Sequence, residues 1–434
     1  MASKLTTEKT NGLTCRVCGK VVQDFLGDHL VSDHGVSVED YLVMYPGAET
    51  MSQRLVDRWK AESGKSPRRR HSATVEDLTV DISGFTFKVD HRISADACLP
   101  LPPHYRFPTH QNRVKTNQCL ARDVRHALMA INRFMNGQFY EGEEVTSLYV
   151  HGISGSGKDA FFHALSSMLR RPGIIRSIKP GVDISSWFYS RAFDSQGTAW
   201  EEGPLLKALR DGYEVRDAKG NVVDRVPYMV LITDFDRADR AQAEYLRLIT
   251  DTIQGRVEGP EGMAYPVLPG TLIAATGNTA GAGDERGRYV SANVIDGSII
   301  NRFSNVFEFH WMLWEDEEPV AKAKFPELVE KAPWIFDQMG KATAAIREAI
   351  LGDELYTDFD HRCLCAILRH ACNYIAYEGQ VPGNVLRVAT RTWIDRLGDS
   401  ETKDKAKKLM DPHIKNGMLD RGDESRHKAG KPSW

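Results

Sequence analysis

The sequence predicts an α/β fold, in which a parallel sheet flanked by helices carries a phosphate-binding loop. A helical lid follows this core, and a small metal-binding module precedes it. Three observations predict this. Residues 146–160, TSLYVHGISGSGKDA, set an apolar, β-favouring run before a glycine-rich turn and a helix. Beyond that turn, apolar strand-like runs alternate with helix-like stretches, the pattern of a mostly parallel sheet covered by helices. Near the N-terminus, two cysteines and two histidines stand at the spacing of a tetrahedral metal shell.

The bulk composition sets the bounds. The chain has 434 residues, 41% hydrophobic and 26% charged, which is globular and long enough for two to three domains. A net charge of −3 gives no global pull toward nucleic acid or a membrane surface. No apolar run is long enough to span a bilayer and no secretory pattern is visible, so no membrane partner is expected. The seven cysteines, Cys15, Cys18, Cys98, Cys119, Cys363, Cys365 and Cys372, are few and odd in number. That argues against a disulfide framework and for a reducing, cytoplasmic setting.

Residues 1–14 read as a disordered lead and residues 15–45 as a zinc finger. Cys15 and Cys18 have two residues between them, and His29 and His34 have four. Two thiolates on a turn and two imidazoles on a following helix close a tetrahedral Zn²⁺ shell, with Phe25, Leu26 and Leu30 as the small core. Four protein ligands leave no open position, so the zinc expected here is structural. The pattern, with its continuation HGVSVEDY at 34–41, resembles the short zinc fingers of the Ros/MucR type. Its helical stretch QDFLGDHLVSDH carries three aspartates and no Lys or Arg, which favours protein contact or simple folding over base reading. Residues 46–112 read as a linker and extended arm, with the basic run Arg68–Arg70 and the proline-rich CLPLPPHYRFPTH lying on the next domain. Residues 113–315 form the nucleotide-binding core. It opens on helical spacing at Leu120, Val124, Leu128, Ile131 and Phe134.

The loop itself reads G-x-x-x-x-G-K from Gly152 to Lys158. Its glycines, Gly152, Gly155 and Gly157, let backbone N–H groups curl around phosphate oxygens, with Ser154, Ser156 and Ala160 completing the cradle. Lys158 reaches the β- and γ-phosphates, and the helix that follows points its positive end at the same anion. The position after the lysine is ordinarily Ser or Thr, whose hydroxyl holds Mg²⁺, but here it is Asp159. A second apolar run, 226–232, ends in Thr233, Asp234, Phe235 and Asp236. Acidic residues at such a strand end hold metal and orient the attacking water. A third run, 271–276, ends at Asn278, whose amide can hold the lytic water, and a fourth spans 304–310 just after Arg302. Residues 316–398 read as the helical lid. In it, Leu364, Ile367, Leu368, Ala371 and Ile375 share one helix face, which makes Cys363, Cys365 and Cys372 ordinary thiols rather than ligands. From 399 the chain is charged and poor in apolar residues, which predicts a disordered tail.

Residues 275–289, ATGNTAGAGDERGRY, followed by 300–309, INRFSNVFEF, resemble the AAA+ ATPase subunit of aerobic cobaltochelatase (CobS) and, more broadly, the MoxR-like AAA+ family. With the loop and lid the resemblance covers residues 115–400 and leaves out the zinc finger. It implies an Mg²⁺-dependent ATPase that works as a homo-oligomeric ring, a hexamer, and remodels a protein client. In the cobaltochelatase case that client carries a von Willebrand-type domain. Such ATPases also occur in phage genomes.

By resemblance, Asn278 is a sensor, Arg302 is the finger that reaches a neighbouring subunit's nucleotide, and Arg387 in PGNVLRV is the second sensor. Trp187 and Phe188 fall in the insertion that lines the central pore. The family's strand end reads Asp-Glu-aromatic-Asp. Here Thr233 stands for the metal aspartate, Asp234 for the catalytic glutamate, and Asn301 for the aspartate before the finger. With Asp159 in the hydroxyl's place, hydroxyl and carboxylate look exchanged between loop and strand, so that Asp159 and Thr233 together serve Mg²⁺. Two other classes remain open. One is a DNA-transacting ATPase that uses the finger and the arginine run. The other is a nucleotide-binding scaffold with little hydrolysis.

Overall fold

The computed structural model describes residues 13–22, 27–34, 41, 44–45, 78–107, 120–138, 144–194, 197–250, 256–258, 263–283, 289 and 291–414. They belong to two compact units, Met1–Glu76 and Asp77–Trp434.

In the first unit, strands Leu13–Thr14 and Val21–Val22 pair antiparallel, and a helix follows at Gly27–His34. Leu13, Cys15, Leu30 and Tyr41 are buried together, with Val22 and Tyr45 packed against them. The expected core residue Leu30 is fully buried, while Phe25 and Leu26 lie outside the described residues. So small a core buries too little apolar surface to hold itself, which is the situation a metal staple relieves.

The second unit is built on five parallel strands: β1 (Thr146–Gly152), β2 (Gly173–Ser177), β3 (Met229–Thr233), β4 (Leu272–Thr276) and β5 (Asn305–Phe309). Their order across the sheet is β5-β1-β4-β3-β2, and every neighbouring pair is parallel. β3 and β4 are buried at every residue, as a sheet covered on both faces requires. One face packs Leu148, Val150, Leu231 and Ala274 against α1 (Leu120–Met135) and α2 (Lys158–Met168), and the other packs Tyr149, Ile232 and Ala275 against Phe235 and Phe303. The expected helical face of α1 holds: Val124, Leu128, Ile131 and Phe134 are all buried.

After β5 the chain forms helices α3 (Trp314–Lys324), α4 (Trp334–Leu351), α5 (His361–Glu378), α6 (Val385–Ile394) and α7 (Ser400–Met410) around a separate apolar cluster. The α/β fold class expected of the sequence is therefore the one found: parallel sheet, flanking helices, a C-terminal helical region and an N-terminal Cys/His module.

Four expectations are corrected. The stretch expected as linker and arm, 46–112, includes a folded hairpin. A hairpin, Thr79–Ile82 with Phe85–Lys88, buries Ile82 and Phe87 against α1, so this stretch is part of the core and not a linker. The run at 226–232 divides, because Val222–Val226 pairs with Tyr213–Arg216 as a hairpin and only Met229–Thr233 enters the sheet. The charged stretch after 399 is not a tail throughout. Asp399 caps α7 through the Thr402 N–H, and Ala406, Met410 and Ile414, four residues apart, are buried against the helical cluster. That narrow apolar stripe is hidden by the average composition. Finally, Trp187 and Phe188 are buried among Leu205, Leu206 and Leu209, so they are packing residues and not free to grip a client.

Candidate functional site

The loop between β1 and α2 owes its path to two close approaches. Gly152, at φ 137°, passes the β5 backbone so tightly that a Cβ would lie 1.9 Å from the Phe309 carbonyl oxygen. Gly155, at φ 70°, faces the start of α5, where a Cβ would meet the Asp360 Cβ at 2.2 Å. Both positions demand glycine on conformation and on space.

Lys158, the first residue of α2, is buried. Its ammonium donates to the carbonyl oxygens of Gly152 at 2.8 Å and Ile153 at 3.0 Å, and lies 3.4 Å from Ser156 Oγ. It also donates to Asn278 Oδ1 at 3.3 Å, which joins the loop to the tip of β4. Burial pushes the Lys158 ammonium down to about 8, although the carboxylates of Asp159, Asp236 and Asp234 oppose the shift.

The acidic residues take different places. Asp159 Oδ1 accepts from Thr276 Oγ1 at 2.6 Å. The Thr233 hydroxyl is 2.6 Å from that of Ser177 on β2, and Thr233 is buried. Asp234 sits in a left-handed conformation, φ 57°, at the end of β3, with Arg237 Nε 3.3 Å from its carboxylate. A non-glycine residue held there at positive φ marks a backbone fixed by its surroundings. Asp236 turns inward. Its Oδ2 accepts from the backbone N–H groups of Asn278 at 2.7 Å and Thr279 at 3.0 Å, and burial pushes its carboxyl up. Its other oxygen has no partner among the described residues. Asp236 thus fixes the loop that carries Asn278.

These groups open on one cavity of about 590 Å³. Ser154, Gly155, Ser156, Gly157, Lys158, Asp159, Ala160, Asp234 and Asn278 line one part of it. Another part is lined by Pro102, Tyr105 and Arg106 of the arm and by Met312, Val320 and Lys324. The structure therefore brings Lys158, Asp159, Asp234 and Asn278 to one space. Thr233, Asp236, Arg302 and Arg387 do not line it; Arg387 is exposed on α6, and Arg302 lies in the turn before β5.

Two groups in the cavity wall have no motif in the sequence. Arg362, at the start of α5, donates to Ser154 Oγ at 2.9 Å and pairs with Asp360 at 2.8 Å. Asp360 in turn caps α5 through the Cys363 N–H. The second group is a buried ionic cluster. Glu317 on α3 is bound by both arms of Arg347, at 2.6 and 3.1 Å, and by His361 Nδ1 at 2.9 Å. Arg347 also donates to the carbonyl oxygens of Phe359 and Met312 and lies over the Trp311 ring. Burial would raise the Glu317 carboxyl, but Arg347 and His361 overcome it and hold the group well below the usual carboxylate range. Burial would lower His361, yet its bonds to Cys365 and Glu317 raise it. These pairs lie 30 and 44 residues apart, so only the folded chain reveals them.

In the first unit, the ligand atoms of Cys15, Cys18, His29 and His34 all lie within 4.8 Å of one another. Cys18 Sγ is 3.2 Å from His29 Nε2, and Cys15 Sγ is 3.7 Å from His34 Nε2. Asp33 Oδ2 lies 2.8 Å from His29 Nδ1 and also takes the Lys20 ammonium. A carboxylate behind a ligating imidazole is a recurrent feature of zinc centres, and the two-thiolate, two-imidazole donor set fits Zn²⁺.

No family model matches the chain, and no curated protein does. Among solved structures it is similar to RuvB from Thermotoga maritima. A proline-to-glycine mutant aligns at TM-score 0.40 and 11% identity, covering 65% of this chain and 71% of that one. A lysine-to-arginine mutant aligns at TM-score 0.39 and 12% identity, covering 65% and 70%. The structure described as the RuvB Holliday junction branch migration motor aligns at TM-score 0.38 and 12% identity, covering 62% and 68%. Likeness this distant leaves the chemistry to the chain's own residues. No helix among the described residues is long and apolar enough to cross a membrane.

Proposed function

We propose that the chain is an Mg²⁺-dependent ATPase of the AAA+ kind that converts ATP to ADP and phosphate to remodel a partner protein. The observation that carries this reading is the convergence on one cavity of a buried ammonium, a glycine-bent loop, and the tips of β3 and β4. Lys158 bridges the loop carbonyls and Asn278. An ammonium so buried is costly to keep charged, and a triphosphate is a stronger partner for it than carbonyl oxygens.

The roles divide as follows. The loop amides and Lys158 grip the phosphates. Asp159 and Thr233 serve the metal, Asp234 activates water, and Asn278 orients it. Asp236 is a positioning residue, because its hydrogen bonds run to the Asn278 loop. Arg302 acts across a ring interface. The lid's cation is Arg362, which already touches Ser154, while Arg387 lies away from the cavity. The CobS/MoxR kinship, the six-membered ring and a von Willebrand-type client rest on the resemblance of 275–289 and 300–309.

The test is calorimetry with ATP and Mg²⁺ alongside phosphate release. Wild type is expected to bind and turn over, and Lys158→Ala to do neither. No heat of association in wild type would overturn the reading. Binding without turnover would favour the scaffold alternative, to which the unusual Asp159 also lends itself.

A further inference from the structure

The buried cluster on the lid side of the cavity ends in a thiol. His361 and Cys365 stand one turn apart on α5, and Cys365 Sγ lies 3.2 Å from His361 Nε2. His361 Nδ1 is held 2.9 Å from Glu317, whose carboxylate is fixed in turn by Arg347. The Lys324 ammonium lies 3.6 Å from the same sulfur. A thiol within hydrogen-bond reach of an imidazolium that a carboxylate orients is the arrangement that activates a thiolate. A nearby ammonium adds to the stabilisation of a thiolate. Nothing in the ATPase reading uses Cys365.

From this array we infer that Cys365 is a peroxide-reactive modification site reached through the nucleotide cavity. Cys365 is itself only 6% exposed, but His361 and Lys324, the two groups against it, both line the cavity. Those two side chains link the cavity to the sulfur. His361, raised to about 9, is already imidazolium at neutral pH and stabilises the thiolate, whose proton goes to solvent. The thiolate then attacks one oxygen of hydrogen peroxide, an S–O bond forms and the O–O bond breaks. The departing hydroxide takes the proton from the imidazolium and leaves as water. Sulfur is oxidised to the sulfenic acid and peroxide is reduced.

The other cysteines described in this unit provide the internal comparison. Cys363 and Cys372 are both more exposed than Cys365, and burial pushes both thiols up, Cys363 to about 11; it pushes Cys98 up as well. Simple accessibility therefore ranks Cys363 and Cys372 ahead of Cys365, and activation ranks Cys365 first.

The experiment treats the full chain, without nucleotide, with hydrogen peroxide at neutral pH. It traps sulfenic acid with dimedone and reads each cysteine by peptide mass spectrometry. Leaving nucleotide out makes the outcome independent of whether the chain hydrolyses ATP. Cys365 is expected to react at least about tenfold faster than Cys363, Cys372 and Cys98, because the His361 imidazole and the Lys324 ammonium lie against its sulfur. His361→Gln should bring Cys365 to their level. A Cys365 rate equal to or below that of Cys363 and Cys372 in wild type would overturn the inference without any variant. A Cys365 rate unchanged in a folded His361→Gln chain would also overturn it.

Discussion

Thr276 Oγ1 donates to Asp159 Oδ1 at 2.6 Å, so the carboxylate that opens α2 is tied to the tip of β4. The hydroxyl at the tip of β3, Thr233, is meanwhile 2.6 Å from Ser177 on β2. Carboxylate and hydroxyl, which stand in exchanged positions under the proposed MoxR-like reading, are thus each held by a threonine or serine hydroxyl on a neighbouring strand. If they serve one metal, restoring the ordinary arrangement must be done at both positions. Asp159→Ser and Thr233→Asp are each expected to lower turnover by about a hundredfold, the scale for losing one charge-stabilising group. The double variant should recover most of that loss. Steady-state phosphate release over a range of Mg²⁺ checks it, and simple addition of the two losses would rule out an exchange.

The depressed Lys158 ammonium leads to a second expectation. Burial holds it at about 8, against about 10.4 for a free lysine. A triphosphate beside the ammonium favours its charged form. Between those two values the empty site has lost its proton and the filled site keeps it. ATP binding near pH 9 should therefore take up close to one proton, and binding at pH 6.5 close to none from this group. Calorimetry in two buffers of different ionisation enthalpy measures the difference. The sign for the empty fold follows as well. A lysine pKa below the unfolded value makes the empty protein gain stability as pH rises from about 8 toward 10, within the range where other groups allow the comparison.

The Glu317–Arg347 pair should behave as a buried ion pair, costly to break from one side. Glu317 is 1% exposed and Arg347 7%. Arg347→Met leaves a carboxylate uncompensated and should destabilise the lid by about 3–5 kcal/mol. The paired change Glu317→Leu with Arg347→Met should cost much less. The pH dependence has two edges. Glu317 is depressed in the fold, so its contribution is present above about pH 4 and lost as pH falls through the folded value. His361 is raised to about 9, so its contribution is present below about 6.5 and lost as pH rises through 9. Thermal unfolding from pH 3 to 10 should show both edges in wild type, while the doubly substituted chain should lose the acid edge and keep a smaller alkaline one, because Cys365 still raises His361.

What the sequence revealed and what it hid follow one physical division. The loop, Asp234 and Asn278 were legible because their chemistry is local, a strand tip followed by a turn whose residue types are constrained. The helical face of α5 was legible because its apolar spacing is periodic. Glu317, Arg347 and His361 were not, because each sits on a different helix and no local pattern marks a residue that matters through a partner 30 or 44 positions away. The inward turn of Asp236 escaped for the same reason: its backbone partners at 278 and 279 come from another strand's loop. Helix α7 was missed because three buried residues among many charges leave the composition of a tail.

The metal module offers a prediction independent of the ATPase core. With Leu13, Cys15, Leu30 and Tyr41 as its buried cluster, folding should depend on Zn²⁺. A chelator strong enough to strip zinc should abolish the near-ultraviolet signal of Tyr41 and Tyr45, whose rings pack 5.2 Å apart, and readdition should restore it. Cobalt substitution should give the visible bands of a tetrahedral site with two thiolates, and Cys18→Ser should remove them.

The lid's contact with the loop supplies the most discriminating variant. Arg362 reaches Ser154 Oγ at 2.9 Å while remaining largely exposed, so replacing it removes a charge at the cavity rim without opening a core. Its other partner, Asp360, keeps the Cys363 N–H and hence the cap of α5. Arg362→Ala leaves one oxygen of the buried Asp360 without its ion partner, so it should cost about 1–3 kcal/mol while the α5 cap stays in place. Turnover should fall by about a hundredfold if the guanidinium meets the charge that develops on the transferred phosphoryl group. Arg387→Ala, at an exposed position on α6 outside the cavity lining, should change turnover far less. Measured side by side, the two variants decide which arginine the lid presents to nucleotide. The reverse order, with Arg387 critical and Arg362 silent, would mean that the lid rotates on binding far enough to exchange one for the other.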